Sequence, residues 1–150
     1  MTDDGRLLVL DTNILVHLAR GKAAGRKLDS DYKLSTATFR PAVCVVTVGE
    51  CMSIARYNNW GARKRELLQE LFRQLVVADI NDPDVLDAYA ELDAWCRKAG
   101  RTMAKNDLWI AAVVRSQSGW LLTCDSDFAP LHPDLVEVEL VDPATLPSGP

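Results

Sequence analysis

The sequence predicts an α/β fold with a mainly parallel central sheet of about five strands, and three observations support this. Short apolar segments typical of buried strands alternate along the chain with longer segments of helical periodicity. Apolar residues make up 48% of the chain and charged residues 25%, as in ordinary globular domains. The length of 150 residues suits one domain. We therefore expect a single domain over residues 1–150, with its core at about 6–142 and a frayed tail at 143–150.

The first half of the chain contains two predicted strands, and each is followed by a helix. Ile14, Leu15 and Leu18 recur at helical spacing after the first strand, while valine dominates the second strand. A long polar segment at 21–40 lies between them and has room for one short helix. In order, the predicted elements are a strand at 6–10, a helix at 12–20, a strand at 42–46, a helix at 47–56 and an amphipathic helix at 62–75.

The second half continues the alternation, and its helix boundaries carry clear signals. Asn81 and Asp82 are candidate caps and Pro83 suits a first helical turn, while Gly100 is a typical stop. The segment LWIAAVV is apolar on nearly every side, which indicates a helix buried all round. The predicted elements are a strand at 76–80, a helix at 83–99, the buried helix after residue 107, a strand at 120–124, a short turn at 126–131 and a strand at 136–141.

Composition disfavours several classes of protein. No apolar window approaches the length of a membrane span and the start of the chain is polar, so we expect a cytoplasmic protein without a membrane partner. The four cysteines form no C-x-x-C pair and lie in apolar stretches, so we interpret them as reduced core thiols. With only two histidines, a zinc site or histidine-based catalysis has little support. Basic residues are in excess in residues 1–73, which hints at a polyanionic partner, although an uneven solvated surface explains this equally well.

Five acidic residues lie where one predicted element gives way to the next. They are Asp11 at the end of the first strand, Glu50 after the second strand, Asp107 at the start of the buried helix, Asp125 at the end of the fourth strand, and Asp127 two residues later. Ligand sites in open α/β sheets form outside the carboxyl ends of the strands. Several of these acids are therefore expected to meet at one edge of the sheet.

Each acid also has a purely structural interpretation. Thr47 and Glu50 match a capping box, Asn106 is a candidate cap for the buried helix, and Asp11 and Asp125 are candidate caps for the turns that follow them. Taken singly, a cap is the simpler explanation in each case. Taken together, capping does not explain why the acids should converge. Converging carboxylates repel each other and stay ionised only around a cation, and an all-carboxylate site suits Mg²⁺ or Mn²⁺.

Four short motifs, in this order and at these separations, are similar to those of the PIN-domain nucleases: LDTNIL, TVGECMSIA, NDLWIAA and LLTCDSDF. Within that family the chain resembles the small VapC-type ribonuclease toxins of bacterial toxin–antitoxin pairs. The resemblance extends from Leu8 to about Val141. It implies a PIN-like three-layer α/β/α sandwich. The polar segment at 21–40 is longer than in the smallest toxins of this type, and its role is not indicated by the resemblance.

The resemblance implies roles for individual residues. Asp11, Glu50, Asp107 and Asp125 would be the catalytic acids that hold Mg²⁺ or Mn²⁺. Asp127 matches a more variable acid and is a candidate further ligand. The supporting residues, which would hydrogen-bond the acids or a water, are Thr12, Asn13, Asn106 and Thr123.

The resemblance also implies a reaction and partners. The reaction is hydrolysis of RNA phosphodiester bonds by in-line attack, leaving a 5′-phosphate and a 3′-hydroxyl. The partners are a cognate antitoxin that blocks the site and a second copy of the chain in a homodimer. Four basic residues lead directly into the third acid and are candidate phosphate contacts, although cations also collect at helix ends through the helix dipole: Arg97, Lys98, Arg101 and Lys105.

Two other interpretations are open at this point. One is a non-catalytic PIN-like module that binds RNA or protein, against which the complete set of acids argues. The other is an aspartyl phosphatase or phospho-acceptor domain. Such sites need a second acid beside the nucleophile or two residues after it, whereas Asn13 lies two residues after Asp11.

Overall fold

A computed structural model describes residues 5–36, 38 and 40–150. Its centre is a five-stranded sheet in the order β3-β2-β1-β4-β5, in which every neighbouring pair is parallel. The strands are β1 (Leu8–Leu10), β2 (Ala42–Cys44), β3 (Val76–Ala78), β4 (Trp120–Thr123) and β5 (Glu137–Leu140). The predicted fold class, with its five strands, is confirmed.

Helices cover both faces of the sheet, because parallel strands require crossover connections. The helices are α1 (Thr12–Arg20), α2 (Ala23–Tyr32), α3 (Val45–Tyr57), α4 (Ala62–Gln74), α5 (Pro83–Lys98) and α6 (Lys105–Ser116), with short 3₁₀ turns at Ser126–Leu131 and Pro143–Thr145. The pair α5 and α6 packs on one face, while α1, α2 and α4 pack on the other. The result is the expected three-layer sandwich.

Alternation along the strands supplies a hydrophobic core to each face. Leu8 and Leu10 belong to the core beneath α1 and α4, whereas Val9 between them belongs to the core beneath α5 and α6. Leu121 and Leu122 divide in the same way between the two cores. Helix α6 is buried nearly all round, as its sequence predicts. Residues buried on both sides make the central strands a rigid base for groups at their ends.

The region after β2 differs from its prediction. Val45 and Val46 were expected to extend the strand, but the pairing of β2 with β3 ends at Cys44 and Ala78, and α3 begins at Val45. Cys44 is therefore the N-cap, and Thr47 lies inside the first turn. The capping box between Thr47 and Glu50 does not form: the Thr47 hydroxyl is buried without a hydrogen-bond partner. Glu50 is free for another role.

Other boundaries follow the sequence closely. Asp82 caps α5 by accepting a hydrogen bond from the Asp84 amide, and Gly100 ends the turn after α5 with a φ of 66°. The polar segment at 21–40 does contain one helix, α2. Gly25 lets this helix lie close against α1, because a Cβ there would be 2.4 Å from the His17 carbonyl oxygen.

The end of the chain makes more contacts than a frayed tail would. Leu146 packs against the core beneath α1 and α4, and the Ala23 amide donates to the Gly149 carbonyl at 3.4 Å.

All four cysteines are free thiols, three buried and one partly buried. Within the part of the chain that the structure describes, no helix is both long and apolar enough to cross a membrane.

Candidate active site

The acidic residues meet at the carboxyl edge of the sheet, beside the switch in strand order. The chain builds β2 and β3 on one side of β1 and then crosses to build β4 and β5 on the other. Ligand sites of open α/β folds form at this kind of switch point. Asp11 directly follows β1, and Asp125 lies two residues beyond β4. The topology therefore brings together two acids that are far apart in sequence.

Asp11 is the most deeply buried acid of the site, with 3% of its surface exposed. Its Oδ1 accepts a hydrogen bond from the Thr12 amide at 2.7 Å, so it does cap α1. Its Oδ2 accepts from the Thr123 hydroxyl at 2.6 Å and from the side-chain nitrogen Nδ2 of Asn13 at 3.0 Å. Burial raises the pKa of this carboxyl, the hydrogen bonds from Thr123 and Thr12 oppose that shift, and the charges of Glu50 and Asp125 add to it.

The supporting residues tie the ends of β1 and β4 together. Thr123 Oγ1 donates to Asp11 and accepts from the Asp125 amide at 2.9 Å. Asn13 Oδ1 accepts from the Cys124 amide at 3.0 Å. These hydrogen bonds fix the orientation of the Asp11 carboxylate, and its two oxygens have room for a further ligand.

Glu50 enters the site from the second turn of α3, at a position created by the early start of that helix. Its Oε1 accepts a hydrogen bond from the Thr12 hydroxyl at 2.7 Å, and its Oε2 accepts from the Asn106 side chain at 3.3 Å. Asn106 is therefore not the cap of α6, which begins at Lys105 with Ala104 as its N-cap and no side-chain cap. The side chain of Asn106 instead donates a hydrogen bond to Glu50.

Asp107 lies in the first turn of α6 and accepts no hydrogen bond from any described residue. Burial, and then the charges of four nearby carboxylates in the order Asp11, Asp125, Glu50 and Asp127, together raise its pKa to about 7. A helix start favours a carboxylate by only about 0.3–1 kcal/mol, which does not offset this crowding. Asp107 is therefore the point at which the negative charge of the whole cluster is least compensated.

Three of the acids lie close enough to share one cation. Oxygens of Asp107, Asp125 and Asp127 all lie within 4.8 Å of one another. Asp125 also caps the 3₁₀ turn by accepting from the Asp127 amide at 2.9 Å, which orients both side chains. Capping and cation binding are compatible here, since the cap uses only Oδ1 of Asp125 and a carboxylate has further lone pairs. An all-oxygen set of this kind suits Mg²⁺ or Mn²⁺ rather than zinc.

The acids line an open cleft of about 490 Å³ that includes residues the sequence analysis did not single out. His17 and Arg20 reach it from α1, and Ile54 and Asn58 reach it from α3. Helical spacing is the sequence pattern that could have predicted these four residues. His17 and Arg20 lie four and seven residues after Asn13, and Ile54 and Asn58 lie four and eight residues after Glu50, so each pair shares the face of an acid-site residue.

The predicted phosphate contacts next to α6 are partly neutralised. Asp93 accepts a hydrogen bond from Arg97 at 2.9 Å and forms an ion pair with Lys105 at 3.3 Å. These bonds hold the pKa of Asp93 below its usual value and keep it charged. No ion pair of Lys98 or Arg101 occurs among the described residues, and a role for them in RNA binding stays a prediction.

Comparisons with known proteins agree with this site. A family model described as the PIN domain matches residues 8–131. Ribonuclease VapC5 of Mycobacterium tuberculosis is 32% identical to this chain over 128 residues, which cover 82% of this chain and 86% of the relative. The residues matched by the PIN domain model include all five acids of the cluster.

Solved structures share the fold at lower identity. VapBC2 from Rickettsia felis, bound to a DNA fragment from its promoter, superposes with a TM-score of 0.78 at 18% identity, covering 91% of this chain and 99% of that one. VapBC-5 from Mycobacterium tuberculosis, a member of the VapBC family of toxin-antitoxin systems, superposes with a TM-score of 0.63 at 24% identity over the same shares. At such identities the likeness establishes the fold.

Proposed function

We propose, because the chain belongs to the PIN-domain family and is of the VapC type, that it is a metal-dependent endoribonuclease. The observation that carries this proposal is the convergence of four carboxylates around Asp107, whose pKa they and burial raise to about 7. Such a cluster costs stability unless a cation balances it, so its presence argues for a bound divalent metal. Similarity to a ribonuclease over most of the chain supports RNA as the substrate.

The donor set fits the proposed metal. Asp11, Glu50, Asp107 and Asp125 would hold Mg²⁺ or Mn²⁺, with Asp127 as a further ligand. Bound there, the metal supplies a Lewis acid for the scissile phosphate and lowers the pKa of the attacking water. Carboxylate oxygens are the ligands that both ions prefer in proteins.

The chain's own residues organise the site before substrate arrives. Thr123 and Asn13 fix Asp11, and Thr12 fixes Glu50, through hydrogen bonds of 2.6–3.0 Å. Groups held in this way need little rearrangement when charge develops on the phosphate, which is the basis of electrostatic catalysis. The expected products are RNA fragments with a 5′-phosphate and a 3′-hydroxyl.

We further propose that this nuclease is the toxin of a type II toxin–antitoxin pair and acts in the cytoplasm as a homodimer. Two relatives with the same fold are VapBC proteins, one of them described as a member of a toxin-antitoxin family. The cognate antitoxin would inhibit the enzyme by occupying the acidic cleft. Inhibition would need a cationic side chain to substitute for the metal, since the cleft carries excess negative charge.

Cleavage of a cellular RNA pool by the purified protein tests the proposal. RNA should be cut with Mg²⁺ or Mn²⁺, remain intact with EDTA, and remain intact with Asp11→Asn. The matched control is Glu91→Gln, which removes an exposed acid far from the cleft and should cut like wild type. Intact RNA under every condition, with a folded protein and bound metal, would favour a non-catalytic binding module instead.

A further inference from the structure

A second depression adjoins the acidic cleft, and its walls carry basic side chains. It has a volume of about 480 Å³. Its lining includes His17, Arg20, Lys22, Asn58, Trp60 and Lys64, which we call the basic groove. Three of these residues, His17, Arg20 and Asn58, also line the acidic cleft. The cleft and the basic groove are therefore continuous, and one extended ligand can occupy both.

No described acidic residue forms an ion pair with the arginine or the lysines of the basic groove. Within the described residues, Arg20, Lys22 and Lys64 form no ion pair, and no Asp or Glu lines the groove. Arg97 and Lys105 beside α6 differ, because both share Asp93. Burial lowers the pKa of His17, and the charge of Arg20 lowers it further, so the groove's charge at neutral pH comes from its arginine and lysines.

Three separate elements bring these cations together. Arg20 is the last residue of α1, and Gly21 turns the chain with a φ of 63° so that Lys22 can cap α2. The close approach of α2 to α1 at Gly25 fixes the distance between these elements. Lys64 comes from α4, where its ammonium lies 5.5 Å from the centre of the Trp60 ring. The arrangement depends on packed elements rather than on one flexible loop.

We propose that the basic groove binds the phosphate backbone of single-stranded RNA on one side of the scissile bond, with Arg20, Lys22 and Lys64 as the phosphate contacts. This inference rests on the proposed function, because the strand in question is the substrate of the acidic cleft. A ligand that occupies both sites must carry negative charge, because it contacts the cations of the basic groove and the metal ion proposed for the cleft. A nucleic acid backbone carries a charge at every residue and meets both requirements.

The same geometry indicates that the basic groove reads the backbone and not the bases. Trp60, the tryptophan of its lining, is only 7% exposed and packs in the core, so it offers no face for base stacking. Phosphate contacts position a strand without selecting its sequence. Changes in the groove should therefore weaken binding of different RNA sequences to a similar degree.

Fluorescence anisotropy with a labelled, mixed-sequence single-stranded oligoribonucleotide tests the inference, with Ca²⁺ added to load the carboxylates of the cleft and with RNA integrity checked on a gel. The variant combines Arg20→Gln, Lys22→Gln and Lys64→Gln. Loss of three phosphate contacts should raise Kd on the order of tenfold or more and make the slope of log K against log salt shallower by about 2. With metal present, the double change Lys22→Gln and Lys64→Gln should raise KM for RNA while kcat stays within about twofold, since neither lysine lines the acidic cleft.

The matched control removes three charges from α3 and α4 outside the groove, by Arg56→Gln, Arg63→Gln and Arg65→Gln, and should bind RNA nearly as wild type does. Without Mn²⁺, the unfolding curves of both variants should match the curve of wild type. With Mn²⁺, the three curves should again match one another. Equal RNA binding by the two variants, or no RNA binding by wild type, overturns the inference. So does a groove variant that binds RNA as wild type does but no longer binds an acidic protein partner. Wild type that binds RNA through the groove but cuts none refutes the proposed function alone.

Discussion

Charged residues cluster at both the amino edge and the carboxyl edge of the parallel strands, but among the described residues they form ion pairs at the amino edge only. At the amino edge, Arg6 pairs with Glu137, and Arg115 pairs with Glu91 at 2.7 Å around a cavity of about 630 Å³. At the carboxyl edge, no described lysine or arginine forms an ion pair with any of the five clustered acids. The hydrogen bonds there come from neutral groups, chiefly Thr12, Asn13 and Thr123.

This difference separates charges that serve the fold from charges that serve a ligand. Exposed ion pairs like those of the amino edge satisfy each other and contribute about 0–1 kcal/mol each. Carboxylates crowded together without a cation destabilise the fold. A folded protein that keeps such a cluster is expected to have a reason for it outside its own stability, and a bound metal is the simplest.

The largest expected effect is on catalysis. Asp125→Asn keeps a side-chain oxygen that can accept from the Asp127 amide, so the 3₁₀ turn should survive, but it removes one negative charge from the cluster. Cleavage of RNA in Mg²⁺ should fall on the order of 100-fold or more, because metal binding and its electrostatic contribution are lost. Single-turnover cleavage of a defined RNA measures this. Glu137→Gln at the amino edge should cut at the wild-type rate, and equal losses in both variants would remove the distinction between the edges.

The next effect is on stability, and it has opposite signs with and without metal. Asp107→Asn should raise the Tm of the metal-free protein by a few degrees, because it removes the least compensated charge of the cluster. Mn²⁺ at saturating concentration should raise the Tm of wild type by about 2–4 °C per kcal/mol of binding free energy and should raise that of the variant much less. Differential scanning calorimetry measures both values. A metal-free variant less stable than wild type would mean that Asp107 mainly supports α6.

A third effect concerns pH. The pKa of Asp107 is about 7 in the folded protein against an ordinary value of 3.8, so the folded state holds this proton more tightly than the unfolded state. Its contribution to stability is fully present below pH 3.8 and is lost as pH rises to about 7. The Tm of metal-free wild type should therefore fall more between pH 5 and pH 8 than that of Asp107→Asn. Parallel changes in the two proteins would show that Asp107 titrates normally.

The smallest effect is expected at the amino edge. Glu91→Gln removes the ion pair with Arg115, which also donates to the Leu135 carbonyl at 2.8 Å and so keeps one bond. Because both side chains are substantially exposed, the free energy of unfolding should drop by no more than about 1 kcal/mol. Urea unfolding measures this change, and the response of Tm to Mn²⁺ should be the same as in wild type. A larger loss would show that the amino edge contributes more to the fold than its exposure indicates.

The sequence predicts most of the architecture because its helices and strands obey simple periodicities. All five strands occur near their predicted positions, and α5 begins at the proline that marks its first turn. The boundary between β2 and α3 was wrong by two residues, since β propensity favours Val45 and Val46 in a strand. The pairing of β2 with β3 ends at Cys44 and Ala78, and a local pattern cannot reveal where such a long-range pairing stops.

The sequence predicts the acidic residues of the candidate site better than it predicts the residues around them. Asp11 and Asp125 follow strands that the topology makes neighbours, and the motifs that contain them point to the same edge. Competing roles were harder to separate. Asp11 and Asp125 are caps as well as members of the cluster, whereas the capping role expected of Asn106 is absent. The basic groove was missed because Arg20, Lys22 and Lys64 come from three elements whose approach is set by packing.

Direct titration with Mn²⁺ tests the central claim most simply, since the claim is that the uncompensated edge of the sheet binds a divalent cation. Free Mn²⁺ is followed by electron paramagnetic resonance while wild type, Asp107→Asn and Glu91→Gln are added in turn. We predict that wild type and Glu91→Gln bind Mn²⁺ equally and that Asp107→Asn binds it at least about tenfold more weakly. Equal binding by all three proteins, or no binding by wild type, would contradict the account.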